Sequence, residues 1–323
     1  METITTLFKL GDAQVAGPLA VFPVFGPQPM LDYRSFSDAT GLGAFVKELD
    51  EGASVNDLLV ENPTDKPLLI FEGEEVLGAK QNRIFDASVL VAAGTRLKLS
   101  VSCVEQGRWD PSQESAHFEV SPAASDPSLR RVKRARANAR AAAGQDARPD
   151  QGEVWDEVRS RLGRHGVDSA HEALHDVYEG RRRDLDELLR AVRPVDSQVG
   201  AVVLVGGRPT VLDYVGRPEV FASLLPRLAQ GYALDALDNE DTQPDPDAAF
   251  AFLADAMAGA RAPLPTVGIG RGFALRDPRL TGSGLEQTGE LVQLSAFPSE
   301  EARGRGAGHA AIARPSRRRR HAA

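Results

Sequence analysis

Apolar and polar positions along this chain change their period twice. Over the first 120 residues the apolar stretches are short, rich in β-branched and aromatic side chains, and broken by Gly and Pro. Thr3–Phe8 and Leu19–Phe25 read as strands on that ground. Pro67–Phe71 is apolar without interruption, as in a buried strand. Ser88–Val91 and Arg96–Cys103 follow. The second alternates as a strand with one wet face should, and Ala93-Gly94-Thr95 between them suits a hairpin turn. Ser54 is placed to cap a short helical turn through Leu58 and Leu59.

Residues 121–150 are dominated by Ser, Pro, Asp, Ala and Arg, with a basic run at Arg130–Arg136. This reads as a helical arm or a mobile connection on a solvated surface. From 151 the apolar period becomes helical. Val154, Trp155, Val158 and Leu162 form one stripe. A second helix is predicted to start near Ser169, bury Leu174, Val177, Tyr178, Leu185, Leu188 and Val192, and stop at Pro194. Two strands, Ala201–Val205 and Thr210–Tyr214, meet at Gly206-Gly207. Pro218 opens a helix that Pro226 should kink, and Asp245-Pro246 caps another with Phe250, Leu253 and Met257 inward. Strands near Thr266–Ile269, Phe273–Leu275 and Leu291–Leu294 close the pattern. The predicted class is α+β, with a β-rich N-terminal half, a mixed helix and strand C-terminal half, one packed unit, and a disordered C-terminal tail. The segments are a β-rich region at 1–120, a basic connection at 121–150, an α+β region at 151–298 and the tail at 299–323.

Composition adds exclusions. The 323 residues carry a formal net charge of -8, which argues against general nucleic-acid binding. The basic concentrations are local, at Arg130–Arg140 and Arg317–Arg320, and offer a protein partner an arm or a tail. Cys103 is the single cysteine, so no intramolecular disulfide and no cysteine-based zinc site can form. With no signal-peptide pattern and no apolar run long enough to span a membrane, a cytoplasmic location is expected. The excess of Arg and Ala over Lys and Ile suggests a GC-rich bacterial genome.

Candidate chemistry concentrates between Asn62 and Trp109. Glu72 and Glu74 are two apart, so in an extended chain they point the same way, and Gly73 between them permits a close approach. Lys80 and Arg83 supply positive charge, Gln81 and Asn82 both donors and acceptors, and Cys103 and Glu105 again share a face. Arg108 adds a bidentate donor beside the ring of Trp109. Such a set suits a ligand with phosphates, ribose hydroxyls and a base. Arg83, Lys80 and Arg108 would hold phosphates, while Glu74 and Glu105 would bind hydroxyls or act as an acid/base pair. The alternative is an ion-pair network that ties strands together, with Trp109 as core and Cys103 as a small buried hydrophobe rather than a nucleophile. Separately, His171-Glu172-Ala-Leu-His175 matches the zinc-hydrolase helix pattern, although no third-ligand motif follows. No cofactor is predicted outside that zinc alternative, and a non-enzymatic interaction role stays open.

Asn62-Pro63, Gly73-Glu74, Gly78–Arg83 and Cys103–Trp109 resemble the bacterial family associated with ADP-ribosylglycohydrolases and rhodanese-like phosphatases. The likeness continues through Trp155, Asp176–Tyr178, Gln198–Gly200 and the helix ending near Tyr232. The resemblance implies a role in ADP-ribose or NAD-derived metabolism and brings no defined reaction.

Overall fold

The computed structural model describes residues 7–49, 54–110, 112 and 117–302. In chain order the first half comprises β1 (Lys9–Leu10), β2 (Gln14–Ala16), β3 (Leu19–Phe25), β4 (Arg34–Ser35), α1 (Phe36–Thr40), β5 (Phe45–Lys47) and β6 (Asp57–Asn62). It continues with β7 (Leu68–Ile70), β8 (Glu74–Leu77), β9 (Arg83–Phe85), β10 (Val89–Val91), β11 (Thr95–Cys103) and β12 (Glu119–Ala124). Helices α2 (Pro127–Ala142), α3 (Gln151–His165), α4 (Leu174–Gly180) and α5 (Arg182–Leu189) follow. Then come β13 (Gly200–Val205), β14 (Arg208–Val215), α6 (Pro218–Ala236), α7 (Pro246–Ala258), β15 (Arg261–Leu264), β16 (Arg271–Leu275), β17 (Leu280–Gln287) and β18 (Glu290–Pro298). The class is α+β.

The largest sheet runs β1-β3-β13-β14-β18-β17-β16-β15, with β2 also on β3. Strands from the first 25 residues therefore share a sheet with strands from residues 200–298. The apolar runs in β3 and β13 are continuous because both faces of this sheet are covered. Val21, Ala201, Val203 and Val211 share one core with Phe221, Leu224 and Leu228 of α6. Phe22, Val24, Val202, Leu204 and Leu212 share the other with Ala249, Phe252 and Leu253 of α7. Neighbours along a strand point to opposite faces, so an uninterrupted run can serve two cores. A second sheet runs β12-β8-β9-β11-β6-β5, and a third, β10-β7-β4, contains the parallel pair β4–β7. They enclose a core of Phe36, Val60, Ile70, Phe85, Val91 and Val101.

Several local expectations change. Thr3–Thr6 of the first expected strand lie outside the described residues, as does the chain from 303, including the Arg317–Arg320 tail. Leu58 and Leu59, expected in a helical turn, belong to β6, because Asp57–Asn62 pairs along the length of β11. Gly94 does make a turn, at φ +66°, but β10 and β11 do not form a hairpin: β10 pairs with β7, and β11 with β6 and β9. Phe252, not Phe250, joins Leu253 and Met257 as a buried residue of α7. Residues Thr266–Val267 are not strand, and Ile269 makes only an isolated bridge to Leu90. The helix expected from Ser169 begins at Leu174 instead. Ser169 Oγ accepts from Ala173 N and donates to Asp176, holding the preceding residues in a turn, and the helix breaks at Arg181 between α4 and α5.

The basic segment departs furthest from expectation. It is α2, capped by Asp126, whose carboxylate accepts from Leu129 N. Arg130, Lys133 and Arg134 are all buried. Spacings of three and four put them on one helix face, and each meets a buried acid. Arg130 pairs with Asp213 on β14, Lys133 with Asp86 after β9, and Arg134 with Glu72 before β8. Arg130 is the hub, with a side chain 1% exposed. Its guanidinium donates two parallel bonds of 2.8 and 2.7 Å to Asp213 and a third to Ser295 Oγ on β18. It also lies 5.1 and 5.3 Å from the rings of Phe71 and Phe297. Gly73 is required beside it: at φ +86°, a Cβ there would lie 2.8 Å from Arg130 Cδ.

At the same end of α2, Asp235 of α6 accepts from Ser128 N and Oγ. Burial and the nearby Asp126 carboxylate push its pKa up to about 7. Asp126 keeps its charge because Arg161 binds it bidentately.

Two outcomes are expected. Asp213→Ala strands a buried guanidinium, so urea unfolding should show a loss of about 3–5 kcal/mol, and an unchanged midpoint would remove Arg130 as hub. For Asp235, the folded-state pKa lies above the unfolded value. Its stabilising contribution is complete below the unfolded pKa and is lost as pH rises through about 7. Melting temperature should therefore fall between pH 5 and 8, and Asp235→Asn should flatten that fall.

Candidate functional site

The polar block divides into two groups that face different neighbours. In the first, the turn Gly78–Arg83 is held in a costly conformation, with Gly78 at φ +103° and Ala79 at +41°, where a Cβ is disfavoured. Arg108 holds the turn. It donates to the carbonyls of Ala79 and Gly78 at 2.7 and 3.3 Å and to Asn82 Oδ1 at 3.1 Å. Its remaining contacts form a bidentate pair with Glu105, at 2.8 and 2.7 Å. Glu105 also accepts from Asn82 N, and Asn82 Oδ1 from Gly78 N. Arg108, Glu105 and Asn82 are thus engaged with one another and with the turn.

Beside them sit Gln81, Arg83, Cys103 and Trp109. Gln81 donates through Nε2 to the Glu105 carbonyl, which leaves its Oε1 to face the Cys103 sulfur at 3.2 Å. Only a thiol can donate to that oxygen, so Cys103 is held protonated. Burial pushes its pKa up, while the Arg83 charge and the nearby Trp155 indole pull the other way. Gln151 at the start of α3 clamps the Cys103 backbone, accepting from its N–H and donating to its carbonyl. Arg83 lies across from Cys103 in the β9–β11 register and is 0% exposed. One bond of 3.4 Å reaches the Asn82 carbonyl, and its Nε and Nη2 meet no acceptor. Trp109 is 43% exposed, and its ring centroid lies 5.3 Å from Lys80 Nζ and 6.0 Å from the Arg83 guanidinium carbon.

The second group contains the acids. Glu72 and Glu74 do not act side by side, because Gly73 takes a left-handed conformation and the chain is not extended there. Glu72 turns to Arg134 and Ser283. Glu74 accepts from Phe71 N at 2.8 Å and pairs with Arg227 of α6 at 3.1 Å, with burial pushing its pKa up. Glu75 accepts from Ser121 Oγ and lies 3.8 Å from His175 Nδ1, which holds the histidine above its ordinary range.

The zinc pattern loses its helix. His171 and Glu172 precede α4, Glu172 sits at φ +49°, and the His171 carbonyl accepts from Gly107 N. The two histidines are therefore not one turn apart on a helix face. Among the described residues no group of three His, Cys, Asp or Glu side chains comes together as a metal would require. No helix among them is long and apolar enough to cross a membrane.

A cleft of about 620 Å³ opens beside the second group. Its walls come from Asp86–Val89, Lys98–Ser100, the end of α2 through Pro149, and Leu264–Val267, with Arg134, Ser283 and Gln293 also lining it. Gln293 is fully buried, and its orientation is fixed by neighbours. The single hydroxyl proton of Ser295 goes to Asp213, so Ser295 Oγ must accept from Gln293, which presents Nε2 to it at 2.9 Å. Gln293 Oε1 is left as an acceptor that no protein donor meets. Arg134 Nη1 takes no part in the bonds to Glu72 and Asp86. Lys98 is exposed, with no ion-pair partner among the described residues, and Arg148 makes loose pairs with Asp57 at 3.4 Å and Asp146 at 3.6 Å. Leu99, Leu264, Pro265, Val267 and Leu285 supply apolar wall. Apart from Glu72, which holds Arg134, sequence reasoning missed this cleft. The available signal was the density of acids that would need α2 as partner.

Residues 8–297 match the family described as ARG and Rhodanese-Phosphatase-superfamily-associated Protein domain. Neither the curated proteins nor the solved structures contain a match to this chain.

If Arg108 is the clamp of the turn, Arg108→Met should cost about 3 kcal/mol in urea unfolding, because Glu105 keeps its burial and loses its charge partner. A midpoint equal to wild type would show that the turn holds itself.

Proposed function

The chain belongs to the family of ARG and Rhodanese-Phosphatase-superfamily-associated proteins, and from that premise we propose that it binds a nucleotide-like ligand of the ADP-ribose type in the 620 Å³ cleft. The observation that carries this reading is the forced orientation of Gln293. A buried acceptor without a donor costs free energy unless something supplies one, and Gln293, whose Oε1 lacks one, is among the residues around a cleft whose volume falls within the roughly 300–1,000 Å³ usual for small-molecule sites. A ribose hydroxyl is a suitable donor. Arg134 Nη1, Lys98 and Arg148 suit phosphates, and the Leu264–Val267 wall suits the face of a base. Glu72 fixes Arg134 rather than touching the ligand. The resemblance read from the sequence, to a family associated with ADP-ribosylglycohydrolases, favours a ligand of this class.

Calorimetric titration of the full chain with ADP-ribose tests the reading. Saturable heat is expected below about 1 mM, the level at which a complex of roughly -4 kcal/mol forms. Lys98→Glu reverses a charge on the rim, so it should weaken binding about tenfold or more. Because the side chain is exposed and unpaired, the melting temperature should stay unchanged. Absence of heat at two temperatures, or a Lys98→Glu titration identical to wild type, would dismiss the cleft as the site.

A further inference from the structure

Asp235 stands apart from the other acids gathered around α2. Asp213, Asp86, Glu72 and Asp126 each have a cation at 2.7–2.8 Å. Asp235 is half-buried and has no ion-pair partner among the described residues. Its Oδ2 accepts from Ser128 N and Oγ, and no described residue donates to its Oδ1. Arg161 acts on it electrostatically but gives its hydrogen bonds to Asp126 and Glu157. Partly desolvated, and beside the charged Asp126, the carboxyl therefore keeps its proton up to about pH 7.

Asp235 lines a second cleft, of about 830 Å³, which shares no lining residue with the cleft of Gln293. This cleft opens between the end of α6, α7 and the turn from β13 to β14, and Asp238 and Glu240 also line it. Asp255, the fourth acid of the lining, is taken by Arg279 at 2.9 Å. Arg208 is exposed there and forms no ion pair among the described residues. A buried group is aimed at the same acids from the end of α3. The His165 side chain is 3% exposed, its Nδ1 makes no hydrogen bond, and that atom lies 3.8 Å from Asp238 Oδ2. Burial pulls the His165 pKa down, so the ring is neutral near pH 7 and does not supply the missing charge.

Three carboxylates thus face one cleft with a single uncommitted cation. Among the described residues no three acids come together as a metal would require, so the charge is spread along a wall and suits an extended cation. We propose that this cleft is a second binding site, for a guanidinium-type organic cation held by Asp235 and Asp238, with Phe252 and Leu280 against its stem. Planar guanidinium donors match carboxylates bidentately. On binding, Asp235 exchanges its proton, released to water, for the ligand's charge. The site does not rest on what the Gln293 cleft binds.

Agmatine, a guanidinium on a short amine stem, is a suitable probe. The full chain would be titrated by calorimetry and followed by thermal unfolding at about pH 8, with sodium chloride holding ionic strength constant. Saturable heat and an upward melting shift are expected. At roughly pH 6 only about a tenth of Asp235 is ionised, so the apparent affinity should be about tenfold weaker. The groups around Asp235 are Asp126 from α2, Arg161 and His165 from α3, Asp238 and Glu240 beyond α6, and Arg208 from β14. Of these residue types only histidine ordinarily titrates near this range. Asp235→Asn separates the two: it should lose most of the affinity and the pH dependence together. Asparagine keeps an oxygen for Ser128, so the variant should hold the wild-type melting temperature at roughly pH 6. No saturable heat up to on the order of 10 mM, equal affinity at both pH values, or undiminished binding in Asp235→Asn would overturn the proposal. If Asp235→Asn fails to fold, the exposed Asp238→Asn decides: weaker binding is expected, and an unchanged affinity would dismiss the site.

Discussion

The pair of Arg130 and Asp213 is the constraint on which the rest of this structure depends. Removing both charges from water is expensive, and their attraction offsets that cost only with complete hydrogen bonding. Here the geometry is nearly complete: Asp213 accepts from Arg130, Ser295 and Tyr232, and Arg130 lies between two aromatic rings. The pair joins α2 to the large sheet at its centre. Once Arg130 is fixed there, Lys133 and Arg134, one turn farther along, must enter the interior too, and Asp86 and Glu72 meet them. The two β-rich parts of the molecule are thus joined through one polar helix.

The same hydrogen-bond accounting runs outward to the cleft. Asp213 takes the Ser295 proton, Ser295 then fixes the Gln293 amide, and the amide oxygen is left without a protein donor at the edge of the cleft's lining. An acceptor at a prospective binding surface is thus set by an ion pair several bonds away. Arg83 shows the converse condition. It is buried as thoroughly as Arg130 but without an equivalent carboxylate. Two arginines of similar burial differ in the acceptors that the surrounding strands supply to them.

Much of this architecture was legible from residue pattern. Leu19–Phe25 and Ala201–Val205 announced strands because their apolar runs serve two cores at once. Pro218 and Asp245-Pro246 marked the starts of their helices through backbone chemistry that tertiary contacts did not override, and α6 continues through Pro226. β17 was missed because Thr281-Gly-Ser-Gly284 carries neither alternation nor bulk; its glycines are needed where a Cβ would strike β18 or Phe273. α2 was misread because cations on a helix look solvated until their acids, remote in sequence, are known. The polar block was visible as a unit, since its residues are near in sequence. The cleft was not, since its walls come from segments far apart along the chain and its unmet acceptor is created by a neighbour's hydrogen bond.

The placement of β3 carries a consequence for how the chain is made. Leu19–Phe25 occupies an interior position in the large sheet, and its Leu19–Val24 pairs residue by residue with Gly200–Val205. During synthesis the N-terminal segment emerges long before its partner exists, and it is one of the most apolar stretches in the protein. Contacts so remote along the chain close slowly, and an unpaired apolar strand is a template for intermolecular association in the meantime. The native sheet therefore comes at the expense of an exposed interval during translation, and escorting factors or rapid capture by β1 and β2, which pair with β3 locally, would shorten it.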